Sequence, residues 1–212
     1  MSDIFDCRDD AQLLPGMRQA RQAIGRGALV VIPTDTVYGV AADAFSAAAV
    51  QRLLDAKGRT RESPPPVLVA GTAMVRALVA DLPEPVERLI EKFWPGGLTI
   101  VLPAQPSLTW DLGETRGTVA VRMPDHRIAL ELIEETGPLA VSSANLTGEA
   151  AAVDVLSAHQ MLGDRIDVYL DSGPVATGVP STILDATGLA RREPGTARIL
   201  RIGAVSADEI RE

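Results

Sequence analysis

Ala28-Leu29-Val30-Val31-Ile32-Pro33-Thr34-Asp35-Thr36-Val37-Tyr38-Gly39-Val40-Ala41-Ala42 joins an apolar, β-branched run to a compact polar turn. The run from Ala28 to Ile32 has the length and composition of a buried strand. Pro33 closes it, because proline brings no N–H to a strand ladder. Thr34, Asp35, Thr36 and Tyr38 follow directly at the strand's C-terminal end. In open α/β sheets that edge is where ligands bind. The same residues also suit a plain β-to-α turn whose side chains satisfy its own backbone. Segments elsewhere in the chain have to decide between the two.

The chain has 212 residues, 46% hydrophobic and 23% charged, which is the balance of a globular domain with a sizeable core. Aromatics make up only 3%, so that core must be built from Val, Leu, Ile and Ala. The formal net charge of −8 argues against stable nucleic-acid binding, which needs a basic field to neutralise phosphates. Cys7 is the single cysteine, so an internal disulfide and a cysteine-only metal site are excluded. His126 and His159 are the only histidines, which leaves no multi-histidine zinc site, and no metal-ligating residues are assigned. Met1 to Asp10 is acidic and polar, reads as a mobile terminus, and lacks the apolar core of a signal peptide. No stretch reaches the roughly 18 apolar residues of a membrane span. These features predict a cytoplasmic protein that does not associate with membranes.

Helical spacing runs from Ala11 to Ile24, ahead of Gly25 and Gly27. Ser46 is placed to cap a helix from Ala47 to Lys57, with Gly58 as its stop. Further helices are predicted at Thr72–Ala80, Pro83–Phe93, His126–Glu134 and Asp154–Leu162, and a short one after Ser206. Strands are predicted at Val67–Val69, Leu98–Leu102, Thr118–Arg122, Leu139–Val141 and Val168–Leu170. Ser181–Leu184, Leu189–Glu193 and Arg198–Ile202 read as antiparallel strands. Helices and strands alternate throughout, which predicts one α/β domain over residues 1–212, with a mixed sheet and its core at about 11–204.

Several polar clusters punctuate these elements. Lys57-Gly58-Arg59 places two cations at a helix end, suited to a phosphate or carboxylate, although cations are also welcome there for structural reasons. Lys57 lies three and four residues beyond Leu54 and Leu53, on the stripe that faces the core, and a lysine there needs a partner. Ser142-Ser143-Ala144-Asn145 follows a strand with short neutral donors and acceptors. Pro95-Gly96-Gly97-Leu98-Thr99 lets a ligand approach backbone closely, and Ser181-Thr182 offers two hydroxyls. Arg122 and Arg201 each close an apolar strand. No nucleophile–base pair and no phosphate-binding glycine motif is present. The inventory predicts a site for an anionic, hydroxyl-rich ligand.

Seven segments together carry a resemblance. Pro33-Thr34-Asp35-Thr36-Val37-Tyr38-Gly39, Lys57-Gly58-Arg59, Pro95-Gly96-Gly97-Leu98-Thr99, Val119-Ala120-Val121-Arg122-Met123-Pro124, Ser142-Ser143-Ala144-Asn145-Leu146-Thr147-Gly148, Pro180-Ser181-Thr182-Ile183-Leu184-Asp185 and Ile199-Leu200-Arg201 occur in the order of the YrdC/Sua5 (TsaC) family. The chain resembles that family from about Ala11 to Ala204. The departures are local: Thr60 follows the Lys-x-Arg element in place of proline, Ser63 replaces a common asparagine, and Ile202 stands where Arg-Pro-Gly is typical.

The resemblance implies a twisted mixed sheet flanked by helices around a concave cavity, in the single-domain form. It implies an L-threonylcarbamoyladenylate synthase, a nucleotidyltransferase that makes threonylcarbamoyl-AMP and pyrophosphate from L-threonine, bicarbonate or CO2, and ATP. The product supplies the threonylcarbamoyladenosine at tRNA position 37. ATP enters as a substrate with Mg2+, and downstream threonylcarbamoyl-transfer proteins are the partners implied. By resemblance, Lys57 and Arg59 are the catalytic cations on the nucleotide phosphates. Ser63, Thr99, Ser143, Asn145 and Arg201 complete the nucleotide side. Thr36, Tyr38, Arg122 and Ser181 hold threonine, with Arg122 on its carboxylate. The competing readings are a paralogue of the same fold with altered nucleotide-dependent activity, and an RNA-binding module.

Overall fold

The computed structural model describes residues 2–190 and 195–211. Val30, Val31 and Ile32 form strand β2 after β1 (Asp3–Asp6) and helix α1 (Asp10–Gly25). The uninterrupted apolar run of β2 follows from its position, because both faces of the sheet are covered there. Val30 and Ile32 pack with Met17, Ala20 and Ile24 of α1, while Val31 turns the other way. On that second face it meets Leu53 and Leu54 of α2 (Ala47–Lys57). Alternate side chains thus enter two different cores, as the pleat requires.

The chain then adds β3 (Gly39–Asp43), β4 (Val67–Leu68), α3 (Thr72–Leu78), α4 (Glu84–Phe93), β5 (Leu98–Pro103) and β6 (Thr118–Arg122). After these come α5 (Arg127–Thr136), β7 (Leu139–Ser143), α6 (Val155–Leu162), β8 (Val168–Asp171), β9 (Thr182–Asp185), β10 (Arg198–Arg201) and α7 (Ala207–Arg211). The strands join one sheet in the order β1-β8-β2-β3-β7-β4-β6-β5-β9-β10. The sheet is mixed, twisted and unclosed. A third core lies under α3 and α4, where Val75, Leu78, Val86 and Ile90 meet Ile100, Leu102 and Val121.

Local punctuation works as the sequence implies. The Ser46 side chain accepts from Ala49 N–H at the start of α2, and Asp154 accepts from Ser157 N–H at the start of α6. Gly58 ends α2 in the left-handed region at φ 62°, where a side chain would be strained.

Four expectations change. Pro33–Tyr38 is not a β-to-α turn. It links β2 to β3, which return antiparallel with Ile32 opposite Gly39 and Val31 opposite Val40. The N-terminus is not loose: Asp3–Asp6 pairs parallel with β8, and Cys7 is buried behind it. Strand β7 runs on through Ser142 and Ser143, so half of the Ser-Ser-Ala-Asn segment is strand and not turn. Finally, β9 lies parallel to β5 and only β10 is antiparallel to it. Of the strand predicted at Leu189–Glu193, Leu189 and Ala190 lie in a turn and the rest lies outside the described residues. Among the described residues no helix is long and apolar enough to cross a membrane.

Candidate functional site

The β2–β3 turn is built by one hydroxyl. Thr34 Oγ1 donates to the Val37 carbonyl at 2.6 Å and accepts from the N–H groups of Thr36 and Val37 at 3.2 and 3.3 Å. With its backbone satisfied from within, the turn can hold Thr36 in place, and Thr34 Oγ1 lies 3.0 Å from Thr36 Oγ1. The turn opens onto a cavity of about 230 Å³ that also takes in Arg59, Ser63, Thr99, Arg122, Ser142, Ser143, Ser181 and Arg201. Residues far apart in the chain meet because β3 and β7 are neighbours in the sheet, as are β4 and β6, and β5 and β9.

On one side of the cavity stands Arg122, at the end of β6 and only 6% exposed. Its Nε donates to the Gly96 carbonyl at 2.9 Å, its Nη1 to Thr36 Oγ1 at 2.9 Å, and its Nη2 to Asp35 Oδ1 at 2.5 Å. Burial lowers its pKa, the Asp35 carboxylate offsets this only in part, and the charge of Arg201 lowers it further. Asp35 was expected to brace its own turn. Instead it reaches across to Arg122 and accepts from the Asp125 N–H at 3.0 Å.

The other side carries cations of a different kind. Arg59 Nη1 donates to Ser142 Oγ at 2.9 Å, and Arg201 donates through Nη2 to the Ser181 carbonyl at 2.7 Å. Neither is in an ion pair with a carboxylate among the described residues. Both guanidiniums have their pKa lowered by burial, and Arg201 also by the charge of Arg59. Two neighbouring cations, Arg59 half-buried and Arg201 more exposed, favour an anion between them. Ser181 Oγ lies 2.8 Å from Thr99 Oγ1, so these two hydroxyls face the same space. Next to Ser181, Thr182 is fully buried and does structural work. Its hydroxyl donates to the Val205 carbonyl and accepts from the Gly203 N–H.

Three residues expected in the site are placed differently. Lys57 does continue the buried stripe of α2, at 2% exposure, but it is not among the residues that line the cavity. Its ammonium donates to the carbonyls of Ser143 and Asn145 and to Asn145 Oδ1, so it holds the end of β7 from behind. Burial, with help from the Arg59 charge, lowers its pKa to about 7. Asn145 is likewise turned inward, its amide N–H groups donating to the carbonyls of Leu146 and Glu149. Tyr38 borders the cavity, yet its hydroxyl points into the core. It donates to the Gly173 carbonyl at 2.7 Å and accepts from the Ser172 N–H. Thr34 and Ser142 were missed as site residues. The threonine three residues before Val37 was a legible turn signal, and Ser142 would have followed from extending β7 by two residues.

A second, apolar lobe of about 210 Å³ adjoins the cavity, sharing Pro64, Pro66, Thr99 and Ile183 and reaching Leu112 and Leu200. A larger cleft, about 480 Å³, lies at the opposite end of β2. Its arginines Arg26, Arg52 and Arg165 are offset by Asp55 and Asp167, with Arg26 paired to Asp167 at 3.1 Å. It offers no converging hydroxyls, so the smaller cavity is the better candidate. Among the described residues no three His, Cys, Asp or Glu side chains converge as metal ligands.

The arrangement can be set beside known proteins. A Mycobacterium leprae protein that bears the provisional name threonylcarbamoyl-AMP synthase is 50% identical over 212 residues, which is 100% of this chain and 94% of the relative. A Pyrococcus abyssi Sua5 structure carrying H234A/Y235A superposes with TM-score 0.91 at 35% identity, covering 99% of this chain and 59% of that one. P. abyssi Sua5 complexed with L-threonine superposes with TM-score 0.85 at 36% identity, over 92% of this chain and 56% of that one. A family model described as Sua5_yciO_yrdC, telomere recombination, matches residues 22–203. The chain therefore belongs to the Sua5/YciO/YrdC family.

Proposed function

We propose that this chain is an L-threonylcarbamoyladenylate synthase that serves tRNA threonylcarbamoyladenosine formation. The observation that carries the reading is the pair Arg59 and Arg201, two cations beside one cavity with no carboxylate among the described residues to neutralise them. In the reaction the amine of L-threonine takes up bicarbonate with loss of water. A carbamate oxygen then bonds to the α-phosphorus of ATP as the bond to the β-phosphate oxygen breaks and pyrophosphate leaves. Such a transfer needs alignment and charge cancellation more than a protein nucleophile.

In this reading Arg59 and Arg201 bind phosphates, helped by hydroxyls of Ser142, Ser143, Thr99 and Ser63. Lys57 and Asn145 contribute by fixing the end of β7. Arg122 takes the threonine carboxylate, Thr36 and Ser181 border the amino acid, and the Tyr38 ring closes the cavity floor. The adjoining apolar lobe suits the nucleotide base. Mg2+ enters on the triphosphate as part of the substrate. Among the described residues the cavity lining supplies hydroxyls and cations but no carboxylate, so the metal would be held mainly by the triphosphate and water. The relatives named threonylcarbamoyl-AMP synthase support this reading over a drifted paralogue, and the net charge of −8 weighs against an RNA-binding module. Acyl transfer to tRNA would then fall to separate downstream proteins.

The test is pyrophosphate release from ATP with threonine and bicarbonate omitted in turn. The expected result is release that requires both. Release that proceeds equally without either would overturn the assignment.

A further inference from the structure

Arg122 is an arginine with most of its donors already spoken for. Its five N–H groups include one to the Gly96 carbonyl, one to Thr36 Oγ1 and one to Asp35 Oδ1. Among the described residues one N–H on each terminal nitrogen is left without a partner, the number that a bidentate carboxylate accepts. Which way that pair faces depends on the three contacts that fix the guanidinium plane. Two of them are neutral acceptors. The third, the Asp35 carboxylate, is the shortest, and the side chains are 7% and 19% exposed for Arg122 and Asp35.

Asp35 is itself held. The oxygen that takes the Arg122 hydrogen bond also accepts from the Asp125 N–H at 3.0 Å, just ahead of α5. One carboxylate oxygen therefore ties the β2–β3 turn to the chain leaving β6, with Arg122 between them. We infer that Asp35 is a positioning residue, whose anchored oxygen turns the Arg122 guanidinium so that its free N–H pair faces the carboxylate of the amino-acid substrate. The inference rests on the proposed role of Arg122. It assigns to Asp35 no contact with substrate and no proton transfer. It locates the effect in the place of one oxygen atom, not in the charge.

That distinction can be measured. Asparagine keeps an acceptor oxygen at the same place without the charge, and glutamate keeps the charge but moves it by one methylene. Threonine and ATP KM values are measured by pyrophosphate release for wild type, Asp35→Asn, Asp35→Glu and Asp35→Ala, with unfolding midpoints as controls. The expected result is a threonine KM within about threefold of wild type for Asn, and raised on the order of tenfold or more for Glu and Ala, with ATP KM within about twofold throughout. Should Ala not fold, the order of Asn and Glu decides alone. A Glu variant that matches wild type while Asn fails would assign the effect to charge and overturn the inference. So would ATP KM rising in step with threonine KM, or a threonine KM unmoved in every variant. If wild type itself shows no threonine-dependent release, the function proposed above fails, and the inference fails with it.

Discussion

The two sides of the cavity treat their cations in opposite ways. Arg122 is locked by a carboxylate, a carbonyl and a hydroxyl, and its charge is cancelled before any ligand arrives. Among the described residues Arg59 and Arg201 meet only neutral oxygens, and the charge of Arg59 makes that of Arg201 costlier. A rigid pocket with its donors fixed in place suits an amino acid, whose recognition is a matter of where those donors stand. An unbalanced pocket suits a polyanion, whose arrival relieves the repulsion. The protein as a whole carries −8, so this local excess is concentrated where it can act on a ligand instead of spread over the surface.

The largest expected effect tests the unbalanced side. Arg59→Ala removes one of two uncompensated cations, and should lower the rate on the order of 10²-fold while leaving threonine binding nearly unchanged. Steady-state kinetics with each substrate varied would show it. A loss confined to threonine KM would mean that the two sides have been assigned the wrong way round. A smaller effect tests the locked side. Thr36→Val keeps the shape of the turn but removes the acceptor that Arg122 Nη1 uses at 2.9 Å. Threonine KM should rise about tenfold, as expected for a hydrogen bond to a charged group, with ATP KM unmoved. Equal shifts for both substrates would break the comparison, because the two sides would then not be independent.

How much of this was legible depends on how far each feature reaches along the chain. Ser46, Gly58 and Asp154 mark helix ends by bonds to residues a few positions away, so their roles can be read directly. Strand β3, Gly39-Val40-Ala41-Ala42-Asp43, has a glycine, two alanines and an aspartate, all poor strand formers. It is a strand because β2 and β7 pair with it from both sides, and nothing within five residues records that. Strand β1 was missed for a related reason. Its two aspartates flank only two apolar residues, a composition that protects an edge and imitates a loose terminus. In the site, the motifs located Thr36, Arg59, Arg122, Ser143, Ser181 and Arg201, all of which border the cavity. They could not reveal that Asp35 pairs with Arg122, because that contact spans 87 positions and exists only once the sheet is assembled. Nor could they separate Lys57 from Arg59. A helical stripe gave the direction of Lys57 correctly, and the oxygens at the end of that direction belong to β7.

The last prediction rests on Lys57 and concerns stability more than rate. Its ammonium lies behind the unbalanced side, and burial lowers its pKa from 10.5 to about 7. The unfolded chain, with an ordinary lysine, therefore holds more protons than the native protein between about pH 7 and 10.5. Stability must then rise with pH across that window, and the cost of the buried charge is present in full below it. One such group gives a slope of at most about 1.4 kcal/mol per pH unit. Lys57→Met has no proton to lose there, so its unfolding free energy should lack this rise. Denaturant unfolding of both proteins from pH 6.5 to 9.5 would measure the difference. Parallel curves would mean that the three oxygens around Lys57 hold its proton as firmly as water does. The cation behind the cavity would then stay charged at every working pH and add to the field that Arg59 and Arg201 create.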